Sequence, residues 1–246
     1  MRVAALSDLH VGLEPNTDAF CHASDAFAGF FDDLLAEHDR VVLLGDVVTA
    51  DHAAIWGARF ARTHLRRILT AHAWLADRIA HPRVIYVHGN HDLAARNVLG
   101  AAERVVLGEG RCRVMFVHGH QFDPIAVHAL PLAHLGTWTT GRLRALGLRR
   151  VAQWFEDRDV EIKDVRFRGP RGPYATAADM LCRDAGVQAV VMGHTHAARL
   201  DRVEHGLSLN TGSCSLGRHQ YVSLDLARGT GVLVRGFERV AVSLLK

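Results

Sequence analysis

Five apolar runs in this 246-residue chain end in residues able to bind metals or move protons. The endings are Asp8-Leu9-His10, Gly45-Asp46, Gly89-Asn90-His91-Asp92, His118-Gly119-His120 and Gly193-His194-Thr195-His196. Singly, each has an ordinary explanation, since an Asp after a strand caps a turn and a buried His is usually a hydrogen-bonded core residue. Together they crowd ionisable groups at a cost of several kcal/mol unless something neutralises them. Bound metal does so. Carboxylates, an amide oxygen and imidazoles without thiolate suit Mn²⁺, Fe or Zn²⁺, with Mn²⁺ the first choice. So many candidate ligands exceed the needs of one ion and suit two ions sharing a carboxylate. Two ions roughly 3.5–4 Å apart clamp an in-line displacement at phosphorus.

The elements that must position these residues can be read from periodicity. Strands are expected at Arg2–Leu6, Val41–Leu44, Val84–Val87, Arg111–Val117 and Ala189–Met192. Helices are expected at Ser24–Glu37, with Ser24 as N-cap, over a long stretch from Ala53 to Ala80 closed by Pro82, and at Ala175–Ala185. Strand–helix alternation argues for stacked βαβ units and a largely parallel sheet. Gly89 permits the turn that brings Asn90, His91 and Asp92 out together. From Arg199 onward, short strands and Gly-containing turns predict a second, more antiparallel sheet packed on the first. Within it, Asn210-Thr211-Gly212-Ser213-Cys214 reads either as a turn whose N–H groups approach the site or as a purely structural turn.

Composition bounds the rest. One α/β domain spanning 1–246 is expected, with a helical insertion at about 124–172 that lies over the site as a lid. Four of the six prolines fall between Pro124 and Pro173. Residues 140–172 carry nine of the 29 Lys and Arg against five of the 26 Asp and Glu, so the basic excess sits in that insertion. A general nucleic-acid face is therefore not expected. Cys21, Cys112, Cys182 and Cys214 have no paired spacing and read as small hydrophobes. No signal-peptide or membrane-spanning run is visible, which predicts a cytoplasmic protein.

In order and spacing the five endings resemble the motif series of the calcineurin-like metallophosphoesterases, over residues 3 to about 213. The resemblance implies a four-layer αββα sandwich of two mixed sheets. It implies one metal on Asp8, His10 and His196 and another on Asn90, His118 and His194, with Asp46 bridging them beside a water or hydroxide that attacks phosphorus. His91 would protonate the leaving oxygen or stabilise the transition state, and Asp92 would orient it. The family often has a carboxylate or amide three residues after the bridging Asp; here that position is Thr49, with Asp51 nearby.

The lid is similar to that of the UDP-2,3-diacylglucosamine pyrophosphatases, which act on a lipid-linked sugar nucleotide in lipid A synthesis. That likeness implies a lipid-nucleotide substrate and peripheral contact with the inner membrane. Trp138, Leu143, Leu146 and Trp154 would line an acyl groove, with Arg142, Arg149 or Arg166 on phosphate and His120 beside the substrate. The same residues read equally as the lid's own packing. That group carries Arg where His91 stands, so a general phosphodiesterase is the alternative. A nuclease and a non-catalytic scaffold are further ones; a scaffold would be expected to have lost ligands that are all present here.

Overall fold

The computed structural model describes residues 1–124, 130–166, 169 and 171–245. Strand β1 (Arg2–Leu6) leads to helix α1 (Ser24–Glu37), β2 (Arg40–Leu44), α2 (Ala58–Ala71), α3 (Ala73–Ile79) and β3 (Val84–Val87). Helix α4 (Ala95–Val98), β4 (Arg104–Leu107) and β5 (Val114–Val117) follow. Next come α5 (Leu130–Ala145), α6 (Arg149–Arg166), α7 (Pro173–Ala185) and β6 (Ala189–Met192). The chain ends with β7 (Arg199–Arg202), β8 (Leu207–Asn210), β9 (Gln220–Asp225), β10 (Thr230–Arg235) and β11 (Glu238–Ser243).

Two mixed sheets result, in the orders β11-β10-β9-β1-β2-β3 and β4-β5-β6-β8-β7. β1, β2 and β3 are parallel, in the register Val3↔Arg40 and Val41↔Val84, as helical crossovers require. Because side chains alternate along a strand, β1 sends Ala4 and Leu6 to one face and Val3 and Ala5 to the other. Ala4 and Leu6 pack with Phe27, Phe31, Leu65, Ile68 and Leu75 of the helices. Val3, Ala5, Val42 and Leu44 meet Val114, Phe116, Val191 and Leu209 of the second sheet. The outer face of that sheet, Met115, Val117, Val190 and Met192, is covered by Tyr174, Ala178 and Cys182 of α7. Three apolar interfaces separate four layers, helix–sheet–sheet–helix.

Several expected boundaries move. The segment from Ala53 to Ala80 is not one helix: a 3-10 turn at Ala50–His52 precedes α2, and the chain breaks at His72 before α3. Ser24 lies inside α1; Ala23 occupies the N-cap position and no side chain caps the helix. The strand expected from Arg111 begins only at Val114, after a turn in which the Cys112 N–H donates to the Glu109 carbonyl. β4, antiparallel to β5, was not anticipated. Helix α7 starts two residues early, at Pro173, because proline at the first helical position sacrifices no hydrogen bond.

The C-terminal strands do not form a sheet of their own. β7 and β8 complete the second sheet, whereas β9–β11 extend the first through β9 beside β1. Period-2 patterning marks a strand and leaves its partner undetermined. No helix among the described residues is long and apolar enough to cross a membrane.

Candidate metal centre

The ligand-bearing loops leave the ends of β1 and β2 side by side. Asp8 N–H donates to the Gly45 carbonyl, His10 N–H to Asp46 and Val11 N–H to Val47, each at 3.0 Å, so parallel pairing continues past both strands. Seven described non-glycine residues have positive φ, and five of them are Asp8, His10, Asp46, His194 and His196. That backbone is uncommon for such residues and persists where surrounding structure holds it, as at functional sites. Gly89 shows the closeness of approach: a Cβ there would stand 2.1 Å from Asp46 Oδ1.

Two clusters emerge, and a carboxylate joins them. Asp8, His10 and His196 place ligand atoms within 4.8 Å of one another, and so do Asp46, His118 and His194. His10 Nε2 and His196 Nε2 face each other at 3.1 Å, with Asp8 Oδ1 3.2 Å from the latter. On the other side, His118 Nε2 lies 3.2 Å from Asp46 Oδ2 while its Nδ1 donates to the Leu44 carbonyl at 2.8 Å. His194 Nε2 lies 2.9 Å from Asp123 Oδ2. Buried Asp8 Oδ1, Asn90 Oδ1 and His118 Nε2 find no hydrogen-bond partner among the described residues. Orphaned lone pairs converging in a buried site fit divalent cations.

Electrostatics point the same way. Burial pushes the Asp8 carboxyl up, but His196 and His118 outweigh it and bring it to about 2. Asp46 is likewise lowered, burial being overcome by His118, His91 and His10. His10 falls to about 3 through burial and the neighbouring imidazoles. For His118 burial is overridden by Asp46, which raises it to about 9. Ionised Asp8 and Asp46 and neutral His10 are already in their ligating forms, whereas His118 must release its proton when a cation binds.

His91 sits at the rim, with its ring 5.0 Å from that of His10 and its N–H on Asp46 Oδ1 at 2.9 Å. The carboxylate against it is Asp51, whose Oδ1 lies 3.0 Å from His91 Nδ1 and whose N–H donates to the His91 carbonyl at 3.1 Å. The expected orienting role of Asp92 is therefore corrected. Asp92 accepts hydrogen bonds from Tyr86 Oη, Val47 N and Gly89 N, which spends both its oxygens on holding the turn. Burial, with Asp46 nearby, raises its pKa to about 6. Thr49 is buried beside Val11, as a neutral filler. The contact of Asp51 with His91 arises because the 3-10 turn folds Asp51 back.

Other expected site residues divide. His120 packs 5.4 Å from the His118 ring and 6.4 Å from that of His194, and burial lowers it to about 2. Trp138 donates to the Ala53 carbonyl at 3.1 Å and stacks on Trp56. Arg142 donates to the His52 carbonyl, which spends one of its nitrogens on protein rather than phosphate. Trp154 is 58% exposed and contacts Phe155; Leu146 is 75% exposed. Of the four residues expected to line an acyl groove, Trp138 is therefore held against Trp56, while Leu146 and Trp154 are exposed. The side chains of Arg149 and Arg166 lie outside the described residues. The turn at 210–214 braces the Asp8 loop: Ser213 Oγ donates to the Asp8 carbonyl and Cys214 N–H to that of Ser7. Asp123, buried against His194, carried no sequence signal beyond following the fourth motif.

The sequence profile described as Calcineurin-like phosphoesterase matches residues 1–198. The chain belongs to that family. It is a metal-dependent phosphoester hydrolase, and the family implies divalent ions on a site of this kind. Among curated proteins there is no match. The phosphoesterase is similar in fold to Vps29 of Chaetomium thermophilum, at 12% identity and TM-score 0.52 over 100% of both chains. Vps29 of Entamoeba histolytica, as a single mutant, gives 17% identity and TM-score 0.51 over 99% of this chain and 100% of that one. The phosphoesterase Yfce of E. coli gives 16% identity and TM-score 0.48 over 100% of both.

Proposed function

We propose that this phosphoesterase hydrolyses a phosphodiester or pyrophosphate bond at a dinuclear centre, one ion on Asp8, His10 and His196 and the other on Asn90, His118 and His194. The observation that carries this reading is the position of Asp46, beside His118 and His194 and within reach of His10 and His91. When bound, the ions supply Lewis-acid charge to the phosphate oxygens and bring the pKa of water toward neutrality. Asp46 holds the two ligand sets together and fixes the His91 backbone. Asp51, on Nδ1, orients His91 so that its other nitrogen gives a proton to the leaving oxygen or a hydrogen bond to developing charge.

The favoured substrate is a lipid nucleotide like UDP-2,3-diacylglucosamine. Supporting it is the surface around the site rather than a formed groove. Three residues beyond the His91-bound turn, Ile55 and then Trp56 are exposed, followed by Phe60. Arg59, Arg62, Arg66 and Arg67 share helix α2 and form no ion pair among the described residues. On α6, Val151, Trp154 and Phe155 are exposed as well. Aromatic and basic side chains together suit an anionic bilayer surface, at which a lipid substrate would be met. A second reading, a general small-molecule phosphodiesterase, rests on His91 in place of Arg. The deciding experiment compares hydrolysis of bis-(p-nitrophenyl) phosphate and UDP-2,3-diacylglucosamine with Mn²⁺. Preference for the lipid nucleotide supports the first reading, turnover of the small diester alone supports the second, and inactivity on both refutes each.

A further inference from the structure

The carboxylate of Asp123 is 3% exposed and lies where the turn after β5 meets the Gly193–His196 loop. Burying a carboxylate costs several kcal/mol unless a partner offsets it. Here the partner is a ligand of the proposed centre: Asp123 Oδ2 stands 2.9 Å from His194 Nε2. The backbone of His194 is pinned separately, its N–H donating to Asp8 Oδ2 at 3.0 Å. Main chain and ring are thus held by two different loops. His118 has the same arrangement with a weaker acceptor, its Nδ1 donating to the Leu44 carbonyl and its Nε2 turned to Asp46.

We propose that Asp123 is a positioning residue for the metal on the Asp46–His118–His194 side: it accepts the Nε2 proton of His194, fixes the tautomer and turns the Nδ1 lone pair to the ion. This rests on reading those three residues as ligands. A carboxylate on the far nitrogen also raises the basicity of an imidazole, which strengthens it as a ligand. Across the centre, the Nε2 atoms of His10 and His196 face each other and Asp8, itself a ligand. The two sides therefore differ in how firmly their histidines are set before an ion arrives.

A mere clamp between loops would lower thermal stability without changing metal affinity, and this separates the two roles. Asp123→Asn keeps the shape and an acceptor oxygen but removes the charge. Mn²⁺ binding is measured by calorimetry in the wild-type protein and in His196→Ala, which removes a ligand from the opposite side. In both backgrounds Asp123→Asn is expected to weaken binding about 10–100-fold, in the wild type at one step only. Unchanged affinity in both backgrounds, whatever the melting temperature, overturns the proposal. A second measurement needs no variant. In Zn²⁺-loaded wild-type protein, ¹⁵N NMR should show His194 protonated at Nε2; protonation at Nδ1 overturns the assignment. The number of ions bound by the wild type tests the dinuclear reading, while the difference between wild type and variant tests Asp123.

Discussion

In the proposed mechanism His91 is oriented by Asp51, whose Oδ1 approaches the ring Nδ1 at 3.0 Å. A general acid contributes about 10²–10⁴-fold, which is the most that Asp51→Asn should cost in kcat, with KM and bound metal unchanged. His91→Ala should also leave metal bound and lower kcat, and the double variant should be no worse than His91→Ala, since the two act as a unit. Steady-state kinetics beside metal analysis decides this; additive losses would place Asp51 elsewhere in the mechanism. Asp46→Ala, by contrast, should abolish metal binding and turnover together, and normal turnover would remove the dinuclear reading. Asp92→Asn is a stability variant. It leaves one of three buried donors without a proper acceptor, which costs about 1–3 kcal/mol, read as a lower melting temperature.

At the scale of elements, His38 ties the end of α1 to β9. Its Nδ1 lies 2.9 Å from the Leu34 carbonyl and its Nε2 2.7 Å from Ser223 Oγ. A neutral ring satisfies both by donating to Leu34 and accepting from Ser223. Burial lowers the pKa of this histidine below its ordinary 6.5. Since the folded state resists a proton that the unfolded chain accepts, stability contributed here is present above pH 6.5 and lost as pH falls below it. Melting temperature should drop between pH 7.5 and pH 5, and the drop should shrink in His38→Gln. An unchanged drop would assign acid sensitivity to other groups. Elements also explain why Asp51 found His91: the 3-10 turn at Ala50–His52, ahead of the expected helix, carries Asp51 to it.

For the whole molecule, the exposed Ile55, Trp56 and Phe60 and the arginines of α2 form one continuous stretch of chain beside the site. The membrane reading predicts co-sedimentation with phosphatidylglycerol vesicles at low salt, reduced in Arg59→Glu/Arg66→Glu and at high salt. Equal sedimentation with neutral phosphatidylcholine vesicles would sink it. Turnover of a small diester should not change in that variant, because neither arginine belongs to the metal centre.

What this sequence determined by itself is local: apolar runs that must be buried strands, and polar endings that must leave them at one edge of the molecule. Asp8, His10, Asp46, Asn90, His118, His194 and His196 stand out in the sequence as candidate ligands because ligand chemistry restricts residue type and strand ends restrict position. Tertiary structure decided what local pattern does not encode. It chose the sheet that β9–β11 joined, because side-chain alternation is satisfied by either partner. It also chose which carboxylate met which imidazole. Asp51 reached His91, Asp123 reached His194, and Asp92 turned to Tyr86. Those pairings depend on how separate loops pack, and a buried charge settles on whichever donors that packing brings within hydrogen-bond distance.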